Sequence, residues 1–164
     1  VDGLITNEKN IPLVIFGADC VPVFLLDKKN KAIGVAHCGW MGTGKRMAEK
    51  ILQEMMKEFG TDPADVTAAI GPSIGQCCFQ MDEPVLKLFR ENIAWTDDIV
   101  KPDPSQEGKY KMDLWECNRR LLAEMGVKDI EISGLCTKCD QERFYSHRGM
   151  GEKRGVMAGI MELI

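Results

Sequence analysis

The sequence predicts an α+β fold, a layered α/β domain built on a mixed β-sheet. Several apolar, strand-like runs follow one another with no helix between them, so the strands they form must pair antiparallel. Other segments carry apolar residues at the spacing of an α-helix. The chain has 164 residues, of which 45% are hydrophobic, and this is enough for one well-buried core. We therefore expect a single domain over residues 1–164.

The first strands are predicted before the first long helix. Residues 11–16 form one apolar run, and residues 21–26 form a second that is typical of a buried strand. The polar residues 27–31 predict a hairpin turn, and the returning strand is expected to end near Ala36. A glycine-rich loop is predicted over residues 39–44.

A helix is predicted after this loop, with Thr43 as its N-cap and Gly60 at its end. Its inner face would carry Met47, Ile51, Leu52, Met55 and Phe59. The later predicted elements are a strand at 66–70, a loop at 71–75, a helix opened by 82–84, a surface loop at 96–109, a helix from 113 to 126, and strands at 130–132, 144–147 and 156–164.

Composition limits the partners of this chain. The net charge is -4 and there is no basic run, which argues against nucleic acid as the main partner. The longest apolar runs are about half of the ~20 residues that a membrane span needs. The seven cysteines are an odd number, which favours reduced thiols in a cytoplasmic protein. Because the first residue is Val, we expect that part of the protein precedes it.

Cys20 and His37 are the main candidates for chemistry. Cys20 closely follows the first apolar run, and His37 lies seventeen residues later, after the returning strand. A hairpin between these strands would bring the two side chains close together. Thiolate and imidazole are good ligands for zinc and copper, and they also form a cysteine nucleophile with its base. Asp19, beside Cys20, either orients a neighbouring group or only forms the turn.

Two further segments are candidates for binding an anion. Gly39, Gly42 and Thr43 lie in the glycine-rich segment before a predicted helix, where a phosphate could meet free N–H groups. The segment is not a Walker A loop, because it lacks that spacing and the hydroxyl after the lysine. Arg148 could clamp a phosphate or carboxylate, or belong to a basic edge near the C-terminus.

The C-x-x-C segment Cys136–Cys139 has two functional interpretations, half of a zinc site or a redox pair. A closed zinc site needs four ligands, and the adjacent Cys77 and Cys78 are awkward ligands for one ion. A redox pair would open a helix, whereas this segment leads toward a predicted strand. We expect Cys136 and Cys139 to be mainly structural.

Four motifs occur in order: ADCVPV at 18–23, AHCGWMGT at 36–43, IGPSIGQCCF at 70–79 and CTKCDQERFYSHR at 136–148. On these motifs the chain resembles the multicopper-oxidase-like "laccase domain" family, also called the YfiH or DUF152 family. The resemblance extends over nearly the whole chain.

The resemblance implies a fold similar to a bacterial deamidating toxin, with a Cys–His site. It also implies a purine nucleoside phosphorylase that cleaves adenosine, inosine, guanosine and methylthioadenosine with phosphate, and that deaminates adenosine. The family's metal site holds zinc, with copper as the other candidate, on one Cys and two His. Cys20 and His37 match two of these ligands, and the third is expected upstream of residue 1. Met41 and Gln80 depart from the family's usual Arg and Glu.

Two other activities remain open. One is copper-dependent polyphenol oxidation, but two histidines cannot build both a blue copper site and a trinuclear cluster. The other is a metal-free hydrolase with Cys20 as nucleophile and His37 as base. A non-enzymatic binding module is a further alternative.

Overall fold

The computed structural model describes residues 2–164, which form ten β-strands and five α-helices. The strands are β1 (Gly3–Thr6), β2 (Leu13–Gly17), β3 (Val21–Asp27), β4 (Ala32–Cys38), β5 (Val66–Ile70), β6 (Gln80–Met81), β7 (Val100–Pro102), β8 (Tyr110–Met112), β9 (Asp129–Ile132) and β10 (Met157–Met161). The helices are α1 (Trp40–Gly44), α2 (Met47–Phe59), α3 (Glu83–Asn92), α4 (Leu114–Glu124) and α5 (His147–Met150).

A five-stranded sheet is the centre of the fold, in the order β1-β4-β3-β5-β9. Neighbouring strands are antiparallel except β5 and β9, which are parallel. The prediction of a mixed sheet is therefore confirmed. A parallel pair of strands needs a long crossover connection. The chain between β5 and β9 forms this connection, which contains α3, α4 and the small sheet β6-β8-β7.

The sheet lies between two layers. On one face, Val23 and Leu25 of β3 belong to the same buried cluster as Leu52 of α2 and Leu121 of α4. On the other face, the antiparallel ribbon of β2 and β10 covers β4, where Ile33 lies in a second cluster with residues of β2. Because both faces are covered, β4 is almost wholly apolar, as expected for a strand buried on two sides.

The predicted hairpin between β3 and β4 is confirmed, and polar side chains explain its turn. Asp27 Oδ1 accepts hydrogen bonds from the backbone N–H groups of Lys29 and Asn30, both at 3.0 Å. Lys31 has φ 51°, the left-handed conformation that closes the turn.

Two predicted elements at the start of the helical layer are wrong. The glycine-rich segment 39–44 is mostly the short helix α1 rather than a loop. Thr43 is not the N-cap of α2, because that position belongs to Arg46 in the left-handed conformation, with φ 62°. The Thr43 side chain is fully buried, and its hydroxyl donates to the Cys38 carbonyl.

Two later predictions also need correction. Residues 144–147 form no strand, because Ser146 instead caps α5 by accepting a hydrogen bond from the Gly149 N–H. The predicted surface loop at 96–109 contains a 3-10 turn and the strand β7, which pairs with β8. In residues 2–164, no helix is long and apolar enough to cross a membrane.

Candidate functional site

The register of the β3–β4 hairpin brings Cys20 and His37 to one cleft. Pro22 of β3 lies opposite His37 of β4. Cys20 lies just before β3, two residues from Pro22, and lines the same cleft as Pro22 and His37. Both side chains line one apolar cleft and a second pocket on its other side. The hairpin thus makes the juxtaposition that the two motifs predict.

Gly39 makes room for this pair. A Cβ atom at Gly39 would lie 3.0 Å from Cys20 Sγ and 4.0 Å from His37 Cε1. The first of these distances is too short for an ordinary carbon–sulfur contact. The absent side chain therefore lets the start of α1 pass directly over the Cys20 sulfur.

The pKa of His37 is raised by its neighbours in the cleft. The interaction with the Cys20 sulfur raises the pKa of His37 to about 9, against the opposing effect of burial and with help from Asp2. The His37 Nδ1 atom lies 3.3 Å from Asp2 Oδ1. Asp2 was not singled out by the sequence reasoning, since the two residues meet only through the pairing of β1 with β4.

Asp19 connects the site to the C-terminal segment. Its carboxylate is buried and accepts hydrogen bonds from the Thr137 hydroxyl and the Arg148 N–H, each at 2.7 Å. The residue has φ 85°, which few residues other than Gly, Asn and Asp adopt readily. The sequence left open whether Asp19 orients a neighbour or only forms a turn, and the structure shows that its carboxylate holds Thr137 and the Arg148 backbone in place.

Arg148 lies beside a pocket of about 330 Å³ that is open to Cys20 and is also lined by His147 and Arg154. The Arg148 guanidinium donates to the Gln80 carbonyl at 2.8 Å and lies 5.3 Å from the centre of the Phe79 ring. Nε of Arg154 is buried and has no hydrogen-bond partner in the described residues. This pocket, called the cationic pocket below, therefore places two guanidinium groups and the buried Asp19 carboxylate next to Cys20.

The cleft on the other side of the pair is apolar. It has a volume of about 240 Å³ and is called the aromatic cleft below, after Phe16, Phe24 and Phe144 in its lining. Pro22 and Pro72 add further flat apolar surface. Cys20 and His37 are the polar side chains of this lining.

The structure gives Gly42 and Thr43 packing roles. A Cβ at Gly42 would lie 3.1 Å from the His37 carbonyl oxygen, so the glycine permits close packing of α1 on β4. The buried Thr43 hydroxyl also accepts a hydrogen bond from Asn118 Nδ2 at 3.1 Å. Phosphate contacts by Gly39, Gly42 and Thr43 stay a prediction.

Comparisons with known proteins show the family to which the chain belongs. The model of the family described as "Multi-copper polyphenol oxidoreductase laccase" matches residues 1–164. The chain belongs to this family. It is 38% identical to the purine nucleoside phosphorylase YlmD of Bacillus subtilis, over 98% of this chain and 58% of that protein.

Two further relatives of this laccase-domain chain are informative. It is 36% identical to adenosine deaminase RL5 of an unknown prokaryotic organism, over 94% of this chain and 59% of that protein. It superposes on the crystal structure of Bacillus licheniformis hypothetical protein YfiH with a TM-score of 0.93 at 37% identity, over 99% of this chain and 61% of that one. The chain thus spans about three fifths of the length of these relatives.

The donor set of the Cys20–His37 pair fits part of a metal site in this laccase-domain chain. A thiolate and an imidazole suit zinc, and metal-binding histidines commonly place their other ring nitrogen on a carboxylate, as His37 does with Asp2. The described residues supply these two donors near the cleft, whereas a catalytic zinc site needs three protein ligands.

A second group of potential ligands corrects the interpretation of the C-x-x-C segment. The sulfur atoms of Cys77, Cys78, Cys136 and Cys139 all lie within 4.8 Å of one another. The objection to adjacent cysteines was wrong, because the turn at 76–78 directs both thiols toward Cys139. This cluster could hold a metal ion, and among residues 2–164 it is the one group of three or more such donors.

Proposed function

We propose that this chain carries the Cys20–His37 part of a purine nucleoside phosphorylase that uses phosphate to cleave adenosine. Inosine, guanosine and methylthioadenosine are further proposed substrates, and adenosine deamination is a second proposed activity. The observation that carries the proposal is the position of Cys20, which borders both the aromatic cleft and the cationic pocket. The names of two relatives, purine nucleoside phosphorylase and adenosine deaminase, support the same substrate class.

The two cavities match the two halves of this reaction. The aromatic cleft offers flat apolar surface at Phe24 and Phe144, against which a purine ring can pack. The cationic pocket offers the guanidinium groups of Arg148 and Arg154, which suit bidentate binding of phosphate. In this arrangement the bond between base and sugar lies beside Cys20, where the cavities meet.

We propose zinc as the metal, with copper as the other candidate, and Cys20 and His37 as two of its ligands. Asp2 would accept a hydrogen bond from His37 Nδ1 and leave Nε2 to face the metal. When bound, zinc supplies a Lewis acid that activates water near neutral pH, as deamination of adenosine requires. Because a ligating histidine must be neutral, metal binding at His37 would release a proton and would be weaker at low pH.

A metal-free hydrolase is the second candidate, and the pKa of His37 favours it. The interaction with Cys20 raises that pKa to about 9, which makes His37 a stronger base toward a thiol that lines the same cleft. In this case Cys20 would attack an electrophilic carbon, and His37 would return its proton to the leaving group. The family description also keeps copper-dependent phenol oxidation among the activities to be tested.

We propose a cytoplasmic location and small-molecule partners, namely purine nucleosides and phosphate. The odd number of cysteines and the net charge of -4 support this assignment. Reduced thiols persist in the cytoplasm, and the net charge does not favour binding to nucleic acid.

The experiment assays the full-length protein on adenosine, with and without phosphate, and on phenols with added copper. We expect adenine only when phosphate is present, and inosine under both conditions. Cys20→Ala and His37→Ala should abolish both products. Cys117→Ala, which removes a buried thiol of α4 outside the site, should retain them.

Other outcomes would favour the other candidates. Adenine formation that is indifferent to phosphate, together with phenol oxidation at stoichiometric copper, would contradict the phosphorylase assignment. If Cys20→Ala keeps its zinc but loses activity, Cys20 is a nucleophile and the hydrolase replaces the phosphorylase.

A further inference from the structure

We propose that Cys77, Cys78, Cys136 and Cys139 form a tetrathiolate site for one zinc ion, separate from the Cys20–His37 pair. The four residues come from two turns that lie far apart in the sequence, and their sulfur atoms converge on one point. The proposal does not rest on the reaction proposed above, and none of these cysteines lines the aromatic cleft or the cationic pocket.

The spacing of the sulfur atoms fits a single tetrahedral ion. Each Zn–S bond is ~2.3 Å, so the sulfur atoms of a tetrahedral zinc tetrathiolate are about 3.8 Å apart. The Cys139 sulfur lies 3.6 Å from that of Cys77 and 3.5 Å from that of Cys78. No pair of the four ligand atoms is separated by more than 4.8 Å, so a small inward or outward shift suffices to reach zinc geometry.

The backbone around the cluster is arranged to support thiolate ligands. A β-bridge joins Ser73 to Cys136, which fixes the two turns side by side. The Gly75 N–H donates a hydrogen bond to Cys136 Sγ at 3.3 Å. Such a bond stabilises a negatively charged sulfur. It also orients the C-x-x-C turn so that its thiols face the Cys77–Cys78 turn.

The surroundings also carry compensating positive charge. Four thiolates and one Zn²⁺ leave a net charge of about -2 at the site. Lys111 Nζ donates to the Cys77 carbonyl at 2.7 Å, so a cation lies directly beside the cluster. Lys138 lies within the C-x-x-C turn itself. Zinc is favoured over harder ions because an all-thiolate donor set selects soft or borderline metals.

A disulfide is the alternative use of these thiols. Cys139 lies at nearly equal distances from Cys77 and Cys78, so it faces both thiols rather than a single partner. Disulfides would use the thiols in separate pairs, with Cys136 taking whichever of Cys77 and Cys78 remains. A single ion accounts for the convergence of all four sulfur atoms at once, which is why we favour the metal.

The proposed zinc would hold part of the functional site in place. Cys136 precedes Thr137, whose hydroxyl donates to the buried Asp19 carboxylate. Asp19 in turn accepts the Arg148 N–H and directly precedes Cys20. Closing the two turns around an ion would fix this chain of contacts, which makes the four cysteines positioning residues for the cationic pocket.

The test measures metal binding by the full chain after its thiols have been reduced and its metal removed. Titration with Co²⁺ should produce the intense visible absorption of a tetrahedral cobalt thiolate, and Zn²⁺ should then displace it. The double variant Cys20→Ala/His37→Ala should still bind one equivalent in this way. Zn²⁺ should also raise the melting temperature by about 5–10 °C at a large excess over its Kd.

Cys136→Ser and Cys139→Ser should lose the cobalt thiolate band, whereas Cys117→Ala should keep it. If a cysteine variant fails to fold, the Co²⁺ spectrum of the Cys20→Ala/His37→Ala variant tests the proposal without it. Absence of the tetrahedral thiolate band in that reduced variant would overturn the proposal. A disulfide between Cys139 and Cys77 or Cys78 in anaerobically purified protein, found by mass spectrometry, would also overturn it.

Discussion

At the scale of single residues, Gly39 decides how closely Cys20 and His37 can lie beside α1. Its extended backbone, with φ -60° and ψ 174°, is open to any residue. The requirement for glycine is therefore steric rather than conformational. It comes from the 3.0 Å that would separate an added Cβ from Cys20 Sγ.

Gly39→Ala tests this requirement. We expect the added methyl group to displace the Cys20 sulfur relative to the His37 ring. Because displacements of up to 1 Å at a reacting group can lower rates by on the order of 10–100-fold, the activity of the full-length protein should fall by that factor. The far-ultraviolet circular dichroism spectrum should remain that of the parent, since the backbone conformation is allowed. Full activity in a folded Gly39→Ala protein would show that the sulfur is not confined as described.

At the scale of elements, the β3–β4 hairpin positions the candidate site. Its turn is organised by Asp27, which is buried and accepts a further hydrogen bond from Asn30 Nδ2 at 2.8 Å. Burial alone would raise the pKa of Asp27, but the hydrogen bonds from Asn30 and Lys29 lower it below the usual 3.8. The ionised carboxylate is thus the form that stabilises the turn.

Asp27→Asn should destabilise the protein by about 1–2 kcal/mol at neutral pH, because a charged acceptor of several hydrogen bonds is lost. Since the folded-state pKa is lowered, the contribution of Asp27 is present above pH ~4 and is lost as pH falls through the folded-state value. The difference in unfolding free energy between parent and variant should therefore shrink in acid. Urea unfolding of both proteins at several pH values from 7 to 3 measures this difference in unfolding free energy.

Glu107→Gln is the matched control, since Glu107 is an exposed acid in the loop before β8. Its unfolding free energy should match the parent within about 0.5 kcal/mol at each pH. An Asp27→Asn difference that stays constant from pH 7 to pH 3 would contradict the assignment of the effect to the carboxylate charge.

At the scale of the whole molecule, the fold is a stack of three layers, with the β2–β10 ribbon closing the face that carries the aromatic cleft. Ile33 of β4 is fully buried under this ribbon. Ile160 of β10, by contrast, is 61% exposed on its outer side. The ribbon therefore has one face that contributes to the core and one that does not.

The two isoleucines supply a matched pair of variants. Ile33→Ala should cost about 2–5 kcal/mol, because it opens a cavity between two packed layers. Ile160→Ala should cost less than about 1 kcal/mol, because an exposed side chain loses little burial. Chemical denaturation of both variants measures the difference, and equal costs would mean that the ribbon does not cover the sheet as described.

The sequence by itself determined the elements whose signals are local: the β3–β4 hairpin from its apolar runs and polar turn, α2 from its periodic apolar face, and the family from its four motifs. It also identified Cys20 and His37, because a single hairpin brings them together. Tertiary structure alone decided the contacts between residues far apart in the sequence. The Asp2–His37 contact needs the pairing of β1 with β4, and the Asp19 contacts need a C-terminal segment more than a hundred residues away. The four-cysteine cluster needs two distant turns joined by the Ser73–Cys136 bridge, and no spacing within either turn specifies that meeting.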